Sequence, residues 1–131
     1  MKIYGIGTDI VNIKRIERIL KSKGDAFKKK IFSVDEIIYC QKKRNPFPYY
    51  AKRFAAKEAF SKALGTGIIK GINFKDIQIT NNRKGKPSIK LKGSTATTFK
   101  KKIKSKKFSI FLSLSDDLPW AQATVIISCN K

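Results

Sequence analysis

Histidine is absent from this chain of 131 residues. That removes every Ser-His, Cys-His and His-metal arrangement at once. Any acid–base or metal chemistry is left to carboxylates, lysines, tyrosines, hydroxyls and water. Cysteine is nearly absent: Cys40 and Cys129, with no CxxC spacing, offer neither a zinc site nor a disulfide framework. Acid is scarce as well, with nine Asp and Glu against thirty Lys and Arg, a formal net charge of +21. No apolar run approaches the ~20 residues of a membrane span. The opening segment, Lys2-Ile3-Tyr4-Gly5-Ile6-Gly7, reads as a strand and not as a signal peptide, so a cytosolic protein with no membrane partner is expected.

Residues 1–131 suffice for one compact domain that buries roughly two thirds of its unfolded surface. The positive field attracts anions in general: nucleic acid, anionic lipid, a phosphorylated cofactor or an acidic protein. Lysine dominates arginine and isoleucine is abundant, a combination that an AT-rich coding sequence would also produce. Runs such as Lys28-Lys29-Lys30 and Lys100-Lys101-Lys102 read first as solvated faces.

Along the chain, residues 2–10 alternate as a strand, with Tyr4, Ile6, Thr8 and Ile10 on one face and Ile3, Gly5, Gly7 and Asp9 on the other. Asp9 therefore lies on a face stripped of side chains by two glycines, where a helix or a ligand approaches closely. Residues 12–22 form an amphipathic helix, with Ile13, Ile16, Ile19 and Leu20 inward and Lys14, Arg15, Arg18 and Lys21 outward. Gly24-Asp25 breaks it, and a short helix over 27–31 follows. Ser33 and Glu36 are spaced as a capping box, which makes Glu36 structural. Asn45-Pro46-Phe47-Pro48 is a loop, and a long helix runs from about Tyr49 to Leu64. Strands are expected around 74–80 and 88–91, joined by a turn, then a short helix capped by Ser94. A hairpin ends the chain, its turn running from Asp116 to Pro119. Interleaved helices and antiparallel strands give the class α+β.

The most informative stretch is Arg53-Phe54-Ala55-Ala56-Lys57-Glu58-Ala59-Phe60-Ser61-Lys62-Ala63-Leu64-Gly65-Thr66-Gly67. It is built from strong helix formers and stops at Gly65, a left-handed C-cap. Glu58 and Lys62 are one turn apart in the favourable order, which alone predicts only a weak surface ion pair. Arg53 and Lys57 are either phosphate contacts or solvated charges; Arg53 is the better contact, and Lys57 stays open.

This block, with Gly5-Ile6-Gly7-Thr8-Asp9-Ile10 before it and Gly85-Lys86-Pro87 after it, resembles the bacterial holo-acyl-carrier-protein synthases, which are 4′-phosphopantetheinyl transferases. The resemblance covers nearly the whole chain and its central block is specific. It implies a single-domain α+β fold of antiparallel strands packed with helices. It also implies transfer of 4′-phosphopantetheine from coenzyme A to a serine of apo acyl carrier protein in fatty acid biosynthesis, with release of adenosine 3′,5′-bisphosphate. The implied metal is Mg²⁺, which takes only one or two carboxylates beside phosphate oxygens and water; the family pair corresponds to Asp9 and Glu58. Glu58 and Lys62 would be catalytic, Lys62 as a point charge on the phosphates. Coenzyme contacts would come from Arg53, Ser61, Lys62, Gly65 and Thr66, and from Gly85, Lys86 and Pro87 near the adenosine. Lys14, Arg15, Arg18 and Lys21 would dock the acidic carrier protein. A homotrimer with sites at subunit interfaces is likewise implied.

One departure stands out. Relatives usually carry a Ser-x-Ser-His segment before the last strand, and this chain has Ser113-Leu114-Ser115-Asp116. An aspartate does not replace a cation beside phosphate, so Asp116 is either a turn residue or a neighbour of the coenzyme that repels it. The rival reading is a small basic nucleic-acid-binding protein. It explains the charge but not Asp9 and Glu58, and no RNP-type or zinc-finger spacing supports it; no nucleic-acid partner is expected.

Overall fold

The computed structural model describes residues 1–65 and 71–130. Its elements run β1 (Lys2–Asn12), α1 (Ile13–Ile31), α2 (Val34–Gln41), α3 (Phe47–Leu64), a 3₁₀ turn (Phe74–Asp76), β2 (Ile77–Asn81), β3 (Pro87–Leu91), α4 (Gly93–Ile103), β4 (Phe108–Asp117) and β5 (Trp120–Cys129). The strands form two antiparallel sheets, one of order β1-β5-β4 and one of β2-β3. The α+β class expected from the sequence is what forms.

Helix α3 is the axis of the molecule. The alanines Ala51, Ala55, Ala56, Ala59 and Ala63 are buried along it, together with Tyr50, Phe60 and Leu64. Small side chains let β1 approach at backbone distance, and the two strand glycines meet them: a Cβ on Gly7 would lie 1.9 Å from the Ala59 carbonyl oxygen, and one on Gly5 1.8 Å from that of Ala63. The glycine-faced strand is thus explained by helix packing. Asp9 continues that same face. Gly65 caps α3 in the left-handed region at φ 89°, its N–H donating to the Ser61 and Lys62 carbonyls.

Several boundaries differ from the sequence expectation. Gly24 does not end the first helix; at φ 53° it kinks it, and the chain resumes helical geometry through Ile31. Phe47 and Pro48 belong to the first turn of α3, where proline lacks only an N–H that would be unpaired anyway. Phe74–Asp76 is 3₁₀, so β2 starts at Ile77. Helix α4 starts at Gly93 with Lys92 as N-cap, so Ser94 caps nothing. Asp116 is not in the turn: β4 continues through Asp117, with Asp116 opposite Ala121. The Ser33–Glu36 capping box forms as expected, with Ser33 N–H donating to Glu36 Oε1 at 2.8 Å and Glu36 N–H to Ser33 Oγ at 3.2 Å.

Away from α3, the β1-β5-β4 sheet turns a bare face outward. Ile6, Ile126 and Phe111 form one row across it, and Ile6 and Phe111 are 58% and 54% exposed. Thr8, Thr124 and Ser113 form the next row, then Ile10, Gln122 and Ser115.

Candidate active site

Two polar centres flank α3. Arg53 and Glu58 are separated by about 140° around the helix, because each residue advances it by ~100°. Glu58 and Lys62 therefore face β1, and Arg53 and Lys57 face α2 and β2.

On the β1 side, Lys62 Nζ donates to Asp9 Oδ1 at 3.1 Å and to the Thr8 carbonyl at 2.9 Å. The ion pair of Lys62 is thus with Asp9, across the helix–strand contact, and Glu58 takes no part in it. Burial and then the neighbouring Asp9 charge raise the Glu58 carboxyl above its ordinary value, while Lys62 and Arg15 pull the other way. Two carboxylates close enough to feel each other, partly withdrawn from water, form a site suited to a hard cation that brings its remaining oxygen ligands with it. Among the described residues, no group of three or more His, Cys, Asp and Glu converges as an all-protein metal cage. Ser61 is buried and its hydroxyl donates to the Lys57 carbonyl at 3.2 Å. Gly65 is exposed at the end of α3; Thr66 and Gly67 lie outside the described residues.

On the other side, Arg53 is buried and lines a cleft of about 200 Å³ with Tyr39, Asn81, Gly85, Pro87 and Leu114. Its Nη2 donates to Asn81 Oδ1 at 2.5 Å, its guanidinium lies 4.1 Å from the centre of the Tyr39 ring, and its Nε has no partner among the described residues. The Gly85 turn is held by Asn81 Nδ2, which donates to the Gly85 carbonyl at 3.0 Å. The structure thus brings Arg53, Gly85 and Pro87 together. Lys86 is exposed in the same turn, its N–H donating to Asn82 Oδ1 at 2.9 Å.

Lys57 is neither a solvated charge nor a phosphate contact. It is fully buried, and its ammonium donates to Glu36 Oε1 at 2.8 Å and to the Phe74 and Ile77 carbonyls at 2.6 and 2.7 Å. Glu36 Oε2 accepts from the Ile79 N–H at 3.0 Å. Both cysteines are buried, and desolvation pushes the Cys40 thiol up to about 12, which leaves no thiolate for chemistry.

Lys14, Arg15, Arg18 and Lys21 are exposed on α1, as their spacing predicted. Lys21 pairs with Glu17 at 3.1 Å on the surface. Arg15 stands near enough to Glu58 to lower its pKa, so the basic face of α1 begins at the acidic centre. Sequence reasoning missed Lys43, Arg44, Tyr49 and Lys52, which line a second cleft with Asp116 beside the Arg53 cleft. Their signal was the basic run Lys42-Lys43-Arg44 before the proline loop, with Tyr49 and Lys52 on the long helix after it; only the fold brings the two together.

Comparison with known proteins finds relatives over nearly the whole chain. The family model of the 4′-phosphopantetheinyl transferase superfamily matches residues 5–123. The holo-[acyl-carrier-protein] synthase of Pelagibacter ubique (strain HTCC1062) is 46% identical over 127 residues, covering 97% of this chain and 98% of its own. The crystal structure of the Neisseria meningitidis holo-[acyl-carrier-protein] synthase superposes with a TM-score of 0.86 at 38% identity, over 97% of this chain and 99% of that one. The Helicobacter pylori synthase, solved in complex with coenzyme A, gives 0.79 at 37% identity, over 94% and 99%.

Proposed function

Because the chain belongs to the 4′-phosphopantetheinyl transferase superfamily, among its holo-[acyl-carrier-protein] synthases, we propose that it transfers phosphopantetheine from coenzyme A to a serine of apo acyl carrier protein. The observation that carries this reading is the pairing of Asp9 and Glu58 in a chain of such positive charge, with Lys62 donating beside them.

In the proposed reaction the serine oxygen forms a bond to the phosphorus bearing pantetheine, and the bond from that phosphorus to the bridging oxygen breaks. The electron pair leaves with adenosine 3′,5′-bisphosphate, and the serine proton passes to solvent. Such a displacement needs in-line positioning and charge neutralisation more than a covalent intermediate. Asp9 and Glu58 would hold Mg²⁺, which supplies charge neutralisation on the pyrophosphate. Lys62 places an ammonium at the same point, its stem reaching across from α3 to β1. Ser61, Gly65, Thr66 and Lys86 are assigned to coenzyme contact by the same family reading.

The adenosine end is assigned to the Arg53 cleft. A buried arginine whose Nε has no partner among the described residues, set against a tyrosine ring, suits a flat, anionic ligand. Since that cleft and the Asp9–Glu58 centre lie on different sides of α3, a single chain presents two half-sites. A second copy bringing its own cleft to the Asp9–Glu58 side would complete the site, and the bare row of Ile6, Ile126 and Phe111 offers the contact surface. This supports the homotrimer, and the reading extends to one transferase domain over residues 1–131 acting in the cytoplasm in fatty acid biosynthesis. No helix among the described residues is long and apolar enough to cross a membrane.

The test is direct. The purified protein is incubated with apo acyl carrier protein, coenzyme A and Mg²⁺, and the carrier is weighed. A mass gain of one phosphopantetheine group that vanishes with chelator is the expected result; an unmodified carrier would overturn the reading.

A further inference from the structure

The cleft of about 270 Å³ next to the Arg53 cleft is lined by Lys43, Arg44 and Lys52 against a single carboxylate, that of Asp116. Lys52 and Tyr49 line both clefts, so the two are continuous. The cations are crowded: the ammonium groups of Lys43 and Lys52 lie 5.1 and 4.6 Å from the centre of the same Tyr49 ring. The ring attracts both ammonium groups, but their mutual repulsion favours an anion nearby. Asp116 supplies one, its Oδ1 3.0 Å from Lys52 Nζ, with the lysine side chain only 18% exposed. Three cations against one carboxylate leave the cleft cationic by two charges, and a phosphate monoester carries about −1.5 to −2 at neutral pH.

We infer that Asp116 is a specificity-determining residue: as the resident counter-ion of Lys52, its carboxylate competes with a phosphate monoester on the ligand that enters this cleft. The inference rests on the coenzyme A reading above. Coenzyme A carries such a group at its 3′ position, and dephospho-coenzyme A differs only in lacking it. The carboxylate penalises the phosphorylated form by occupying Lys52 and by direct repulsion. Asp116 thereby narrows the preference for coenzyme A over the dephospho form, where a neutral residue on β4 would widen it. The strand position matters: β4 pairing fixes Asp116 opposite Ala121, so the carboxylate holds its place over Lys52 in a way a turn residue would not.

The experiment measures KM for coenzyme A and for dephospho-coenzyme A with the wild-type protein, Asp116→Asn and Lys52→Gln. Asp116→Asn is expected to lower the coenzyme A KM by about fivefold relative to the dephospho KM, the size of one partly screened charge contact. Lys52→Gln is expected to shift the ratio the other way. An unchanged or narrowed ratio in Asp116→Asn overturns the inference, as does a parallel change in both KM values in either variant. Failure of the wild-type protein to use coenzyme A at all would overturn the transferase reading instead, so the two failures are distinct.

Discussion

Lys57 Nζ lies 2.8 Å from Glu36 Oε1, and neither side chain is exposed to solvent. The pair sits where α2, α3 and the start of β2 meet. Every lysine N–H has an acceptor, and both carboxylate oxygens are bonded. Burying two charges is costly unless each is fully paired, and removing one partner leaves the other stranded. The Arg53 cleft draws Tyr39 from α2, Arg53 from α3 and Asn81 from β2. The same pair therefore fixes the frame of that cleft.

Lys57→Met is accordingly expected to cost about 3–5 kcal/mol, because Glu36 is left as an uncompensated buried charge. Lys57→Met combined with Glu36→Gln should recover part of that loss. Urea unfolding of the two single variants and the double variant measures it. Strict additivity of the single costs would show that the two residues are not coupled.

The glycines of β1 give a second prediction. A Cβ on Gly7 would meet the Ala59 carbonyl oxygen at 1.9 Å and the Ala63 nitrogen at 2.6 Å, all backbone atoms that cannot swing aside. Gly7→Ala should therefore push β1 off α3, cost about 1–3 kcal/mol or more, and lower transfer by moving Asp9. Gly24→Ala meets no atom within 4 Å, but φ 53° with ψ −131° is backbone that only glycine adopts readily, so it should cost about 1–3 kcal/mol of strain while leaving β1 seated on α3 and turnover in place. Thermal unfolding and turnover of both variants check the contrast; an equal loss of turnover at matched stability cost would contradict the close-approach account.

Much of this was legible in the chain. Gly5 and Gly7 on one strand face, the cap at Gly65 and the Ser33–Glu36 box are local patterns, and local spacing is what a sequence displays. The partners of Lys57 and Lys62 were not legible. Glu36 and Phe74 are far from Lys57 in sequence, and Asp9 is farther still from Lys62, so helix spacing points to Glu58 instead. Gly24 misled for a related reason: a glycine break is a local signal, but packing on both sides carries α1 through the kink. Asp116 reads as a turn residue because Asp116-Asp117-Leu118-Pro119 has turn composition, and only pairing with β5 shows otherwise.

The acidic centre predicts a pH dependence. The folded pKa of Glu58 is raised, so the folded state holds that proton more tightly than the unfolded chain does. Its contribution to stability is therefore greatest at low pH and falls as pH rises from the ordinary 4.5 through the raised value. Mg²⁺ bound to the ionised pair would offset that loss. The rise in Tm produced by Mg²⁺ should grow with pH across this window and be largely lost in Glu58→Gln and Asp9→Asn, which should also lose most transfer. A Mg²⁺ shift that is independent of pH, or intact in both variants, would place the cation elsewhere.

The last prediction divides the basic face of α1. Arg15 and Arg18 are both exposed, but only Arg15 acts on the Glu58 carboxyl. The proposed reading takes an acidic carrier protein as partner, and complementary charge on a rim chiefly speeds encounter and sets orientation. Arg18→Glu should therefore raise the KM for apo acyl carrier protein by about fivefold, flatten its salt dependence, and leave the KM for coenzyme A where it was. Arg15→Glu should do more. It adds a negative charge beside Asp9 and Glu58, so it should raise the Glu58 pKa further and shift the acid limb of the pH–rate profile upward. Steady-state kinetics at two salt concentrations and across pH separate the two effects. If Arg18→Glu leaves carrier-protein kinetics untouched, this face of α1 is not the docking surface. If both variants shift the pH profile equally, Arg18 also belongs to the acidic centre, and the division between docking and metal binding along α1 does not hold.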